Sequence, residues 1–166
     1  DTVTAVLTAQ PASDVVLNVS SNATGEATVS PATLTFTSAN WSTPQTMTIT
    51  GVNDDTLPNG AATVTVSVND AGSDNNWDPL ADQTVAVTCT NDDSAGFTLS
   101  KTTATVAENG GTDTVTAVLT AQPASDVVLN VSSNATGEAT VAPATLTFTS
   151  ANWSAPQTLT ITGVND

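Results

Sequence analysis

The side chains able to do chemistry in this chain are almost all carboxylates. Sixteen acids face a single base, Lys101, and there is no His, Arg or Tyr. Eight of the acids fall between residues 54 and 93: Asp54, Asp55, Asp70, Asp74, Asp78, Asp82, Asp92 and Asp93. They stand in GVNDDTLPNG, VNDAGSDNNWDPLADQ and TNDD, segments that read as connections between strands or modules. Glu108 ends a further strand-like run just before Asn109-Gly110-Gly111. Asn53, Asn69, Asn75, Asn76 and Asn91 lie beside the acids.

Tracing an up-and-down sandwich sorts these carboxylates by end. Glu108, Asp54-Asp55 and Asp92-Asp93 fall at one pole; Asp14 and the loop holding Asp74, Asp78 and Asp82 fall at the other. Carboxylates gathered at one pole repel each other unless a cation neutralises them. Calcium takes six to eight oxygen ligands, which carboxylates, Asn side chains and backbone carbonyls supply. The absence of His and clustered Cys disfavours zinc and the softer transition metals. Calcium is therefore the expected cofactor, beside the reading that these Asp residues are solvated turn formers. The spacing is not an EF-hand, because SDNNWDPLAD lacks the mid-loop Gly and the terminal Glu.

The same inventory speaks against an enzyme. The single Lys and the single Cys offer no nucleophile–base pair. A carboxylate pair of the glycosidase kind would recur in every repeat, and no substrate cleft is implied. Cys89 shares the Val85-Val87 face of a strand and reads as a small core residue. A formal charge of −15 repels nucleic acid and anionic membranes. No transmembrane run or signal segment is visible.

The elements that must position the acids are strands. Thr occurs 34 times, and Thr with Val is a palette for strand faces. Leu34 and Phe36 alternate with Thr33, Thr35 and Thr37. Met47 and Ile49 alternate with Thr46, Thr48 and Thr50, and Val64, Val66 and Val68 with Thr63, Thr65 and Ser67. Val3, Val15, Leu17, Val19, Val85 and Val87 mark further strands, and Phe97, Leu99 and Thr105-Val106-Ala107 begin the next series. Turn residues separate them at Gln10-Pro11-Ala12, Ser30-Pro31 and Pro58-Asn59-Gly60. Trp41 and Trp153 read as core plugs, and Trp77, in the acidic loop, as the surface aromatic. The fold expected is all-β, an antiparallel two-sheet sandwich, with a parallel β-helix as the alternative.

The organisation is a repeat. Residues 1–54 return at 113–166 with three changes, Ser30/Ala142, Thr43/Ala155 and Met47/Leu159. The period is 112 residues, a normal single-domain length. The expected modules are 1–94, a sandwich lacking its first strand, and 95–166, the start of the next, lacking its last strands. The adjoining stretches of a longer tandem protein, residues 95–107 folding back onto the first module, or strands donated by neighbouring chains would complete these sandwiches.

Several of these segments resemble Calx-β domains. Thr105-Val106-Ala107-Glu108 with Asn109-Gly110-Gly111 resembles the opening strand of that family. Gly25–Val29, Ala32–Phe36 and Gln45–Asn53 with Asp54-Asp55 resemble its middle and its acidic strand end. The resemblance implies a calcium-binding sandwich of the immunoglobulin-like type. It carries over Glu108, Asp54 and Asp55 as ligands, with Asp92 and Asp93 at the junction. The chain departs from the family at Thr56-Leu57-Pro58-Asn59-Gly60, where an acidic segment is expected. Near-identical tandem copies are similar to the extender stalks of large bacterial surface adhesins of the RTX type, which implies an extracellular, cell-surface setting.

The function expected is therefore a calcium-rigidified spacer in a bacterial surface fibre, with neighbouring repeats or identical chains as partners. Contact with a glycan, host or biofilm surface would fall to other domains. The alternatives are a filament subunit built by inter-chain strand complementation and a glycan- or ice-binding surface made of Thr-x-Thr rows.

Overall fold

The computed structural model describes residues 1–165 and divides them into two compact units. The first comprises Asp1–Asp54 with Asn59–Thr90. Its strands are β1 (Thr2–Ala5), β2 (Val15–Ser21), β3 (Ala27–Ser30), β4 (Thr33–Phe36), β5 (Gln45–Gly51), β6 (Gly60–Val68) and β7 (Gln83–Cys89). They form two sheets, in the orders β1-β5-β3 and β4-β2-β6-β7, with every pairing antiparallel. The expected sandwich is thus present in the strand pairing itself.

Alternation explains why these residues make these strands. In β4 and β5, Leu34, Phe36, Met47 and Ile49 are buried while every Thr between them is exposed. Phe36, Met47, Val15 and Val64 lose essentially all contact with solvent and centre the core. Burying one such side chain is worth about 1.5–3 kcal/mol. On the outer face Thr48 stands between Thr2 and Ser30 on the flanking strands, a polar cross-strand row. Trp41 packs partly buried against this core, as expected. Trp77 does so as well, which corrects its reading as a surface aromatic. The Asp74 loop is tied to Asp14 and Val16, and its indole packs inward. Cys89 also packs on the core, half-buried, and its thiol donates to the Glu26 carbonyl at 3.0 Å.

The second unit comprises Asp55–Pro58 with the residues from Asn91 on. Its strands are β8 (Phe97–Leu99), β9 (Thr112–Leu119), β10 (Val127–Asn130), β11 (Ala139–Ala142), β12 (Thr145–Phe148) and β13 (Gln157–Gly163). They form one sheet in the order β11-β13-β9-β8 and a pair, β10-β12. The Asp55–Pro58 segment is tied in by the Gln122 N–H, which donates to the Asp55 carbonyl at 2.7 Å, and by the Asn91 side chain, which donates to the Leu57 carbonyl at 2.7 Å. Phe97–Leu99 pairs with β9, not with the first unit.

Thr105-Val106-Ala107, expected as a strand, is irregular. The chain turns immediately afterwards: the Gly111 N–H donates to the Ala107 carbonyl at 2.9 Å, and the Gly163 N–H to the Gly111 carbonyl at 2.9 Å. Local hydrogen bonding of this kind replaces a sheet ladder. Ala107 then lies so close to Gly163 that a Cβ there would meet the Ala107 carbonyl oxygen at 2.2 Å. Gly51, the same residue one period earlier, would place a Cβ in open space.

Gly163→Ala is therefore expected to destabilise the protein by about 1–3 kcal/mol, because backbone must move. Gly51→Ala is expected to be neutral or slightly stabilising, since glycine is costly inside a strand. Denaturant unfolding of the two variants side by side checks this asymmetry.

Candidate functional site

The acidic loop of the first unit is built around Asp74, the buried charged residue among those described, at 6% exposure. A one-turn 3-10 segment, Asp70–Gly72, leads into it. Two backbone bonds hold the loop to β2 and the turn before it: the Asn69 N–H donates to the Val16 carbonyl at 2.8 Å, and the Asp74 N–H to the Asp14 carbonyl at 2.9 Å. Ser73 Oγ accepts from the Val16 N–H at 3.0 Å and donates back to the Val16 carbonyl at 3.2 Å. Asp14 and the loop thus meet at one end, as the sequence trace expects.

The Asp74 carboxylate is fully engaged. Its Oδ2 accepts from the Ala12 N–H at 2.7 Å and the Ser13 N–H at 3.3 Å. Its Oδ1 accepts from the Asn76 N–H at 3.0 Å and the Asn76 side-chain amide at 2.9 Å. Four donors match the roughly four lone-pair sites of a carboxylate. The Asn76 N–H first, and then the Ala12 N–H, hold this carboxyl below the usual carboxylate range, with burial opposing them. In this geometry Asp74 is an internal fastener, with no lone pair left for a cation.

The other candidates are dispersed. Asp78 is half-buried, and its Oδ1 is buried without a hydrogen-bond partner; Asp82 is exposed. Asp54 belongs to the first unit, and Asp55, Asp92, Asp93 and Glu108 to the second. Within the second unit the Asn91 side chain draws two acidic segments together. It donates to the Leu57 and Asp93 carbonyls and accepts from the Asp93 N–H at 2.9 Å. Asp55 and Asp92 are exposed, and Glu108 sits exposed on the Glu108–Gly110 turn. Among the described residues, no group of three or more His, Cys, Asp or Glu side chains is placed to hold a metal ion. The arrangement therefore does not fit a preassembled carboxylate site for calcium.

One charged contact escapes the sequence reading. The lone base, Lys101, forms an ion pair with Asp113, whose Oδ1 also accepts from the Thr114 N–H at 2.8 Å. The Lys101 hydrogen bond is the first cause, and the Thr114 N–H the second, of an Asp113 carboxyl held below its usual range. The available signal was the position of the only Lys just after Phe97-Thr98-Leu99, in a chain otherwise free of bases.

No protein-family model matches this chain, and no curated protein matches it. Among solved structures it is similar to the crystal structure of CBD12 from CALX1.2, with a TM-score of 0.38 and 12% identity, over 100% of this chain and 68% of that one. The all-β antiparallel assignment rests on the strand pairing described above. Among the described residues, no helix is long and apolar enough to cross a membrane.

The Asp74 contacts give a signed pH dependence. A carboxyl with a lowered folded pKa contributes stability that is complete above its unfolded value of about 3.9. That contribution is lost as pH falls through the lower folded value. Asp74→Asn keeps the shape but turns an N–H₂ toward N–H donors. It is expected to lower the melting temperature at neutral pH and to reduce the drop in stability between about pH 5 and pH 2. Thermal melts of both proteins across that range check it, and parallel curves would contradict the assignment.

Proposed function

We propose that this chain is a spacer: tandem copies of a 112-residue module in the stalk of an extracellular, cell-surface fibre of the adhesin kind, with no catalytic role. One observation carries the reading. The repeated sequence makes the same strand pairs in both units, at the same offset. Val3 opposite Met47 becomes Val115 opposite Leu159, and Val29 opposite Ile49 becomes Val141 opposite Ile161. Leu17 opposite Leu34 becomes Leu129 opposite Leu146. Each copy thus specifies its own sandwich framework, which is the property an array needs if length is to scale with copy number.

The surface supports the same reading. Outer strand faces carry Thr, and the described acids other than Asp113 sit in connections, so an array keeps a uniform, strongly negative exterior that resists aggregation. Partners are then neighbouring repeats, and any grip on a glycan, host or biofilm surface belongs to other domains. Trp77, the aromatic best placed by sequence for a sugar platform, packs on the core instead, so the glycan reading gains no support.

Calcium at the poles is the finer part of the expectation. The spacer as proposed contains no step that depends on a bound metal, because the described carboxylates do not assemble around one. Calcium therefore enters as a variable of the test.

Chains carrying increasing numbers of repeats are expected to lengthen in constant steps of a few nanometres, since an eight-residue strand spans roughly 26 Å. Small-angle scattering reads this as a maximum dimension linear in copy number. Collapse to a compact particle would overturn the spacer reading. Calcium and sodium at matched ionic strength are expected to act alike, by screening. A calcium-specific change reversed by EDTA would reinstate metal at the poles.

A further inference from the structure

The loop between β5 and β6 leaves the first unit and comes back to it. Asp54 and Asn59 belong to that unit, while the residues between them, Asp55–Pro58, belong to the second. The chain therefore passes from one unit to the other three times, at Asp54-Asp55, Pro58-Asn59 and Thr90-Asn91.

Within the second unit the excursion meets a turn built from repeated sequence. Thr56 forms an isolated parallel bridge with Gln122, and the Gln122 N–H donates to the Asp55 carbonyl at 2.7 Å. The Gln122 side-chain amide donates to the Ser150 carbonyl at 2.9 Å. In the first unit Gln10 makes the same bond to the Ser38 carbonyl, also at 2.9 Å. Each copy of the repeat thus builds for itself the turn that presents this N–H.

Local sequence prepares both partners. Pro58 follows Leu57, and Pro123 follows Gln122. A residue before proline is biased to extended backbone. Leu57 and Gln122 therefore have less conformational freedom to lose when the two stretches pair.

Two side chains add selectivity to the main-chain contact. The Asn91 amide donates to the Leu57 carbonyl at 2.7 Å and to the Asp93 carbonyl at 3.1 Å, which ties the excursion to the segment entering the second unit. Leu57 lines a small apolar cavity of about 250 Å³ together with Ala95, Leu119, Ala121 and Pro123. Leu119 and Ala121 are buried.

We infer that the Gln122 turn and Asn91 form a docking site for the Asp-Thr-Leu-Pro segment of the β5–β6 loop of the preceding repeat. Each repeat lends these residues to its successor, beyond the peptide bond that joins the two. The partner is defined by its chemistry: an extended stretch that offers two carbonyls to N–H donors and sets an apolar side chain before proline. The effect is directional, because a loop of the first repeat makes these contacts in the second unit. For further repeats the inference rests on the array reading; for the two units of this chain it stands on the contacts themselves.

Amide hydrogen exchange of the full chain tests it. The Gln122 amide reports docking, and the Val19 and Val64 amides report the core of the first unit. Replacing Thr56, Leu57 and Pro58 together by glycine keeps the loop length but removes the proline restraint and the leucine anchor. Gln122 is expected to exchange at least about tenfold faster in this variant, with Val19 and Val64 unchanged. Asn91→Ala is expected to shift Gln122 in the same direction. Acceleration of Val19 and Val64 as large as that of Gln122 would show a loop that serves its own unit, and would overturn the site. Unchanged exchange at Gln122 in either variant would overturn it too. The spacer reading fails by a different measurement, a maximum dimension that does not grow with copy number, so the two failures are distinguishable.

Discussion

A strand extends as far as its neighbour satisfies its backbone. That constraint explains more of this molecule than any side chain does. An unpaired row of N–H and C=O groups either finds water or finds a partner. Of the shared residues, all of 113–119 lie in the strand beside β8, whereas without it the strand covers Thr2–Ala5. The second sheet behaves alike. β2, held between β4 and β6, is seven residues long, whereas β10, which among the described residues pairs with β12 alone, is four. Val15 is fully buried in β2, while its counterpart Val127 is only half-buried. Near-identical sequence, differing only in what lies beside it, thus separates local preference from tertiary completion.

Charge is kept away from this machinery. The sheets carry Thr outward and aliphatic side chains inward, and among the described acids only Asp113, paired with Lys101, stands within a strand. In the connections, polar side chains do local structural work. Asp74 gathers backbone N–H groups from the Ala12-Ser13 turn and its own loop, and Asn91 ties Leu57 to Asp93. Donors fixed in a turn stabilise an ionised carboxylate without a metal. A run of acids in sequence is therefore compatible with neutralisation by the backbone, one residue at a time.

Much of the fold was legible in the sequence. Leu34-x-Phe36 and Met47-x-Ile49 give buried strand faces because period two maps directly onto a sheet. The repeat offset fixes which pairs recur. What escaped reading depends on non-local partners. Thr105–Ala107 has strand-like composition, but Gly111 bonds back to it and no ladder forms. Trp77 sits among polar residues, yet the loop that Asp74 fastens turns it inward. The placement of Asp55–Pro58 with the second unit depends on Gln122 and Asn91, far away in sequence. The carboxylate poles were inferred from a trace of strand directions. Such a trace gives the end on which a residue lies but not whether its side chain meets others, and among the described residues no three of these acids meet.

The central claim is that strand completion, and not local sequence, decides the state of the repeated segment. Amide hydrogen exchange at Val6 and Val118 measures it directly, because both amides lie in the same eleven-residue sequence. The expected result is strong protection at Val118, which pairs with Thr98, and near-intrinsic exchange at Val6. Equal protection at the two positions would contradict the account.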